Sequence, residues 1–563
     1  MTIIGIDVLT FLIVASALGG VALLILPSAP AYRTLVRYTA VGIAAVLAGI
    51  SVAVFFAYTG SQAATGVFGL EVNVPWFPVL GVDWHLGIDG ISAAMILLTG
   101  ILTPLAILIS FEIEDRVNMH MALILLFAAG SYGVFSAMDL MIFFLFYELT
   151  LVPMYFLINQ WGSPAGREYA SKKFFIYSLG GSLGMLLAIQ LIGWSVSQVP
   201  AEIVETLRAT TPALANYVAG SPSFNISVIS ALWPALNEVG GVFLGINVET
   251  VKGLAFLGFF IAFAIKVPVW PFHTWLPDAH GEAPTAGSML LAGVMLKLGA
   301  YGFLRLVIPF FPDVWVNDFS VLGVFTTNWA TVLAFLAMLG VVLGAFSAFG
   351  QTDIKRLVAY SSVNHMGFVA MGIAVAALAY GQQVVTGGTE YAQDAIVAMN
   401  GAVLQMFNHG LSSAGMFLLA GAIYHKTHTR DMTQYGGFWV KAPIYGGIFI
   451  FTSMASLGLP GLNGFVSEFL VVRGSWAVFT TLTLISMIGL LFTGGYILKG
   501  IRAVLHGPFN MHWKDYKLEI EAREVIAIAP LMALMLITGI APNWILSVIN
   551  ASVSLMLGVP VQV

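Results

Sequence analysis

The sequence predicts an all-α polytopic membrane protein of about fourteen transmembrane helices, with two inverted five-helix repeats and discontinuous helices seven and twelve. Three observations point there. Apolar residues make up 59% of the 563 positions and charged residues only 9%, against roughly 25% charged in a soluble domain. Mostly apolar runs of about 20 residues follow one another along the chain, the length that crosses ~30 Å of hydrocarbon. Two of those runs are interrupted at mid-depth by proline and glycine. The 49 charged side chains are too few to coat several soluble domains, which excludes a soluble enzyme, a nucleic-acid-binding protein and a disordered chain. A β-barrel would need alternating strands of ~10 residues. The absence of cysteine excludes thiolate metal sites, iron–sulfur ligation, cysteine nucleophiles and disulfides in this chain.

In order, the apolar spans fall at about 3–26, 34–59, 88–111, 117–137, 140–161, 172–196, 252–272, 285–308, 325–348, 356–379, 395–424, 440–472, 476–504 and 523–549. The first lacks a basic start and outruns a signal-peptide core, so it reads as a retained helix. Connections are short except 197–251, where Glu202, Glu205 and Arg208 follow an amphipathic pattern ahead of a Pro/Ser/Asn-rich loop; this reads as an extramembrane insertion. The chain divides into 1–116 (helices one to three), 117–308 (first repeat, with the insertion), 309–505 (second repeat) and 506–563 (a loop and helix fourteen).

Basic residues set the orientation. Of the 22 Lys and Arg, sixteen fall in odd-numbered loops and four in even ones, namely Arg208, Lys252, Arg305 and Arg473. Odd loops are therefore expected in the cytoplasm and both termini outside. The remaining two, Lys266 and Lys297, fall inside spans, as do Glu148 and Glu468. At 1.5 Å per residue, Glu148, Lys297, His365 and His409 all lie near mid-bilayer. A charge there costs ~2.5–3.5 kcal/mol on insertion scales, so such residues mark an ion path or proton relay. The alternative reading is structural: a buried ion pair that fixes register, or neutral histidines bonding across helices.

In the seventh span Lys266-Val267-Pro268 precedes Trp270-Pro271; in the twelfth Gly458-Leu459-Pro460-Gly461 precedes Glu468. A broken helix in the membrane needs protein or a wet cavity around the freed backbone groups, and paired breaks suggest inverted-repeat transporters. Simple proline kinks are the alternative. Gly181-Ser182-Leu183-Gly184-Met185 is echoed by Ser412-Ser413-Ala414-Gly415-Met416, and the turn at Ser136–Asp139 by that at Ser347–Asp353. Each offset is five spans. Five is odd, so the second copy enters from the opposite face. Paired glycines such as Gly180-Gly181 read as close helix packing, and the plentiful Met and Phe as packing or lipid-facing side chains.

FAIKVPVWPFHTWLPDAHGEAPTAGSMLLAGVMLKLGAYGFLR, from Phe263 to Arg305, resembles the signature of the antiporter-like subunits of respiratory complex I and of the multi-subunit Na⁺/H⁺ antiporters. FFLFYELTLVPMYFLI around Glu148, KRLVAYSSVNHMGFV around His365 and FNHGLSSAGMFLLAG around His409 fit the same family, over roughly 85–505. The resemblance implies an ion pair of Glu148 with Lys266, a central lysine at Lys297, polar steps at His365 and His409, and a terminal protonatable group at Glu468. Pro268, Pro460 and Gly461 mark the helix breaks. Glu468 stands where other complex I members of the family carry lysine. The chain shows no cofactor motif; the resemblance implies NADH, FMN, iron–sulfur clusters and quinone in partner subunits. It also implies as partners the other membrane subunits of complex I, including two further antiporter-like chains, and a bacterial plasma-membrane location among lipids, with no nucleic acid. The implied activity is proton translocation driven by NADH:quinone oxidoreduction in other chains. A subunit of a cation/proton antiporter is the alternative, and an inactive membrane scaffold a third.

Overall fold

A computed structural model describes all residues except 28, 62–65, 210, 240, 241, 244, 322, 324 and 560–563. Short polar side chains start its helices by accepting backbone N–H groups that the first turn leaves free. Asp7 caps Val8–Ile25, Asp89 caps Gly90–Ile109, Asp139 caps Leu140–Trp161, Asn328 caps Trp329–Gly350 and Asp353 caps Ile354–Thr386. Asp139 and Asp353, five spans apart, therefore do the same local work at the starts of the fifth and tenth spans. Glu521 and Glu524 form a reciprocal box at the start of Ala522–Ile540.

Among the described residues, twelve helices are long and apolar enough to cross a membrane. Two further expected spans have other forms. One is the 36-residue helix Ala392–Thr427. The other is the pair Pro443–Leu457 and Asn463–Trp476, separated by the predicted break at Pro460 and Gly461. The seventh span is also broken, and earlier than its hydropathy suggests: Val248–Lys266 ends at the lysine, and Trp275–Glu282 resumes after Pro268 and Pro271. The last span differs from expectation. It stops at Ile540, and Asn543–Met556 follows as a separate helix, because Pro542 cannot continue the first.

The eighth span, Thr285–Phe310, is the axis of the molecule: its most apolar window is entirely buried, whereas Thr480–Leu505 and Ala522–Ile540 bury 33% of theirs. Outer helices keep Leu, Ile and Phe side chains such as Phe56, Leu491 and Ile526 exposed, as a hydrocarbon solvent permits. The 60–87 connection contains an unanticipated antiparallel hairpin, Gly69–Phe77 with Val82–Ile88. The 197–251 insertion docks on it. Phe224 N–H donates to Gly81 O, Asn225 Nδ2 lies 3.0 Å from His85 Nδ1, and Ile226 N–H donates to Met138 O. The expected amphipathic turn is the helix Ala201–Arg208, with Arg208 on Glu205 at 2.5 Å and on the Tyr217 carbonyl.

Candidate functional site

Two π-helical turns, Leu291–Met295 and Phe303–Val307, flank the short α-segment Leu296–Gly302 that holds Lys297. Such wide turns shift the backbone ladder and recur at functional sites. Lys297 is 0% exposed. Its ammonium donates to the carbonyl of Ala292, in the first π turn, and to Nδ1 of His409 at 2.7 Å. An ammonium donor at Nδ1 assigns the His409 proton to Nε2, which has no partner among the described residues.

The line continues across the bundle. The His409 and His365 ring centroids are 5.6 Å apart. His365 Nδ1 lies 2.6 Å from Glu468 Oε1, and its Nε2 3.4 Å from the Tyr496 hydroxyl. The same Glu468 oxygen accepts from Gln405 Nε2 at 3.0 Å. All four groups from Lys297 to Glu468 are buried.

The twelfth-helix break supplies Glu468 with its surroundings. Gly458 turns left-handed at φ 82°, and a Cβ there would sit 3.2 Å from Glu468 Oε2. The break itself is held by two reciprocal amides: Asn408 Nδ2 donates to Asn463 O at 2.7 Å, and Asn463 Nδ2 to Asn408 O at 3.1 Å. Ser467 Oγ joins them and donates to Gln405 Oε1. Polar side chains thus tie the resumed helix to its neighbour Ala392–Thr427. At the seventh-helix break, Trp275 Nε1 donates to Ile265 O at 2.9 Å.

The expected Glu148–Lys266 ion pair is not formed. Lys266 is buried at the last residue of its helix, and its ammonium sits 4.5 Å from the Tyr147 ring centroid. Glu148 is half-buried and acts on Lys266 only at a distance. The physical reason is angular. Adjacent residues on a helix point about 100° apart, so the face that offers Tyr147 to the lysine turns Glu148 away. Lys266 nonetheless borders the Lys297 helix, since a Cβ on Gly299 would meet its Cβ at 2.8 Å.

Several buried charged or polar groups at helix ends escaped the sequence reading. Arg305, assigned to a loop, belongs to the Thr285–Phe310 helix, two turns beyond Lys297. It pairs with Asp89 while its Nε donates to the Tyr301 hydroxyl at 3.3 Å. Lys355 is 2% exposed and donates to Ala283 O at 2.9 Å. His280 is fully buried with both ring nitrogens unpartnered among the described residues. Lys252, also assigned to a loop, is buried beside Asp313 at 3.5 Å. Each lies at or near a span end, where charge alone reads as a loop. The caps Asp89 and Asp353 were the available signal that helices and charges meet at these ends.

Residues 137–493 match the family model described as NADH:quinone oxidoreductase/Mrp antiporter, transmembrane. The chain is 38% identical over 491 residues to NADH-quinone oxidoreductase subunit M of Pseudomonas aeruginosa, covering 86% of this chain and 84% of that one. To the subunit of the same name from Escherichia coli it is 38% identical over 489 residues, with the same coverage. Its fold superposes on a chain of respiratory complex I from Thermus thermophilus with a TM-score of 0.75 at 25% identity, covering 98% of this chain and 99% of that one. A chain of the Mrp complex from a Dietzia species shares the fold at a TM-score of 0.74 and 22% identity, covering 99% of this chain and 52% of that longer one. With a family match over residues 137–493 and relatives 38% identical across 86% of its length, the chain belongs to the NADH:quinone oxidoreductase/Mrp antiporter transmembrane family.

Proposed function

We propose that this chain is a proton-translocating, antiporter-like membrane subunit of respiratory complex I, moving protons through Glu148, Lys266, Lys297, His409, His365 and Glu468. The energy comes from NADH:quinone electron transfer in other subunits, which hold the FMN, iron–sulfur clusters and quinone. The observation that carries the reading is the buried line Lys297–His409–His365–Glu468, which ends against the broken twelfth helix. The 38% identity to complex I subunits supports the coupling to NADH and quinone.

A proton on the Lys297 ammonium has a ready acceptor in His409 Nδ1 at 2.7 Å. His409 Nε2 then hands a proton toward His365, across a gap that a ring rotation or one water closes. His365 passes it to Glu468 through the 2.6 Å contact. Histidine suits both middle steps because a neutral imidazole accepts at one nitrogen and donates at the other. Lys266 and Glu148 gate the first charge. At ~4 Å and an effective dielectric near 20, a carboxylate would hold the ammonium by about 4 kcal/mol. Swinging Glu148 toward or away from Lys266 therefore changes the field felt by Lys297 next door. The two five-helix units, 117–308 and 309–505, contribute the opposite ends of this line as inverted repeats. The chain lies in the bacterial plasma membrane with odd loops cytoplasmic and both termini outside. Its neighbours are the other membrane subunits, two antiporter-like chains among them, and lipid.

The test is Lys297→Ala in the assembled complex, reconstituted in vesicles. Proton translocation per electron should drop sharply while assembly survives. An assembled variant with the wild-type ratio would overturn the reading.

A further inference from the structure

We infer that His85 and Asn225 form an acid-released clasp, which holds the 197–251 insertion on the Gly69–Phe77 and Val82–Ile88 hairpin while His85 is neutral and loosens it when His85 takes up a second proton. The clasp stands on its own geometry. Only the source of the acid, protons exported to this face, rests on the pumping reading above.

Residues 222–226 of the insertion lie between the hairpin turn and the start of the Leu140–Trp161 helix. Their backbone bonds to both: Phe224 N–H donates to Gly81 O at 3.3 Å, Leu140 N–H to Phe224 O at 2.8 Å and Ile226 N–H to Met138 O at 2.9 Å. Gly81 turns left-handed at φ 70°, and a Cβ there would come within 2.5 Å of Pro222 O. Asn225 adds a side-chain bond to the hairpin, its Nδ2 lying 3.0 Å from Nδ1 of the buried His85.

The bonds around this contact fix the proton on the imidazole. Asn225 Oδ1 accepts from Ser227 N–H at 3.0 Å and Val228 N–H at 3.3 Å, and so caps the Ile226–Leu232 helix. The amide therefore turns its nitrogen to His85, and an amide nitrogen can only donate. Nδ1 of His85 is then the bare nitrogen, and the proton sits on Nε2, 2.6 Å from Glu71 Oε1. A proton taken from water at Nδ1 sets donor against donor. Glu71 holds the imidazolium from its other side, so the ring stays with the hairpin and Asn225 loses its partner. Turning the amide over to offer its oxygen would uncap Ile226–Leu232. Either way the insertion loses a bond, and imidazole is the side chain suited to such a change at ordinary acidification.

Hairpin and insertion are the second and sixth connections, both on the even-loop face, which is the side expected outside. The charged groups around His85 are few. Residues 222–226 carry none. Asp83 shares its strand, and Glu71 lies on the other. The helices packed against the hairpin bring Asp7, which accepts from Thr10 N–H, Asp89, which pairs with Arg305, and Asp139, which accepts from Asp83 N–H at 3.3 Å. Asp139 is raised by burial to about 7 and titrates in the same window, so the test holds it fixed.

The competing explanation is that Asn225 only caps its helix and that acid loosens this face through other groups. Hydrogen–deuterium exchange of the purified, assembled complex separates the two, read on peptides covering 222–232 at pH 8 and pH 5 and corrected for the intrinsic rate at each pH. All samples carry Asp139→Asn, which keeps that cap. With His85 and Asn225 in place, protection should fall roughly 10-fold from pH 8 to pH 5, the scale of one lost buried hydrogen bond. His85→Asn still accepts from Asn225 but does not titrate, and its protection should match at the two pH values. Asn225→Asp keeps the cap and accepts from a protonated Nδ1, so the fall should vanish or reverse. No fall with both residues in place, or the same fall in His85→Asn, overturns the inference. If neither variant assembles, the pair is structural and the inference is likewise overturned. If Lys297→Ala pumps normally, the proposed function fails while the clasp remains, because its readout involves no pumping.

Discussion

Glu468 accepts from Gln405 and contacts His365 through one oxygen while the other faces Gly458, and these neighbours decide what a substitution does. Glutamine keeps the size and can still bond Gln405, but it holds no proton to release. Aspartate keeps the proton but reaches about 1.5 Å less far, a gap that one water bridges. Quinone-linked proton pumping, with assembly confirmed, should therefore rank glutamate, then aspartate, then glutamine. Glutamine performing like glutamate would leave Glu468 a structural anchor for the broken helix. A second residue offers a test of stability. Asp139 lies between the Val117–Ser136 and Leu140–Trp161 helices, and burial pushes its carboxyl up to about 7, against the backbone donors of Asp83, Ile142 and Met141 that favour the charged form. An acid whose value is raised in the fold binds its proton more tightly there than unfolded, so stability is lost as pH rises from the unfolded value near 4 to about 7. The full effect is roughly 4 kcal/mol. Asp139→Asn keeps the cap and removes that slope. Between pH 5 and 8 the melting temperature of the wild type should fall relative to the variant; parallel curves would refute the assignment.

The helices show which signals a sequence carries and which it does not. Lys297, His365, His409 and Glu468 were legible because a polar group inside an apolar run stands out, and the breaks at Pro268, Pro460 and Gly461 because proline and glycine act locally. The Glu148–Lys266 geometry was not legible, since the side-chain direction that gives Lys266 to Tyr147 depends on helix rotation. Nor were the π turns that flank Lys297, which leave no compositional mark. Arg305 shows a third kind of miss: it falls inside the 285–308 run yet counts by charge with an even loop, and the helix carries it on to Phe310 with Asp89 as its partner. Asp89 both caps Gly90–Ile109 and pairs with Arg305. Asparagine caps as well as aspartate, so Asp89→Asn isolates the charge. It should cost ~3–5 kcal/mol by leaving a buried guanidinium unpaired, read as a lower melting temperature. Adding Arg305→Met should recover part of that loss, and a double variant no more stable than the single one would count against the pair.

At the scale of the whole molecule, the ion pairs sort by the parity of the loops near which they lie. Glu112 binds His425 and Arg523; Asp278 binds Lys173 and Arg356; Arg430 binds Glu282 and Asp353; Lys426 binds Glu524; Arg33 binds Glu114. Every one of these joins odd-numbered loops or the helix ends beside them. Asp89 with Arg305 and Lys252 with Asp313 join even ones. Among the described residues no salt bridge crosses from odd to even, which is what a chain that changes side at every span must give. The face that gathers the odd loops carries sixteen of the basic residues and also the cavity beside Lys355, and the positive-inside rule predicts a cytoplasmic position for it. The 506–520 loop, with Lys514 and Lys517, should then be cytoplasmic, and the C-terminal end at Val563, outside the described residues, should lie on the opposite side. A fluorescent protein inserted in that loop should mature and fluoresce. A phosphatase that works only outside should be active when fused after Val563. Activity of the phosphatase in the loop and silence at Val563 would invert the molecule, and with it the direction in which the line from Lys297 to Glu468 runs.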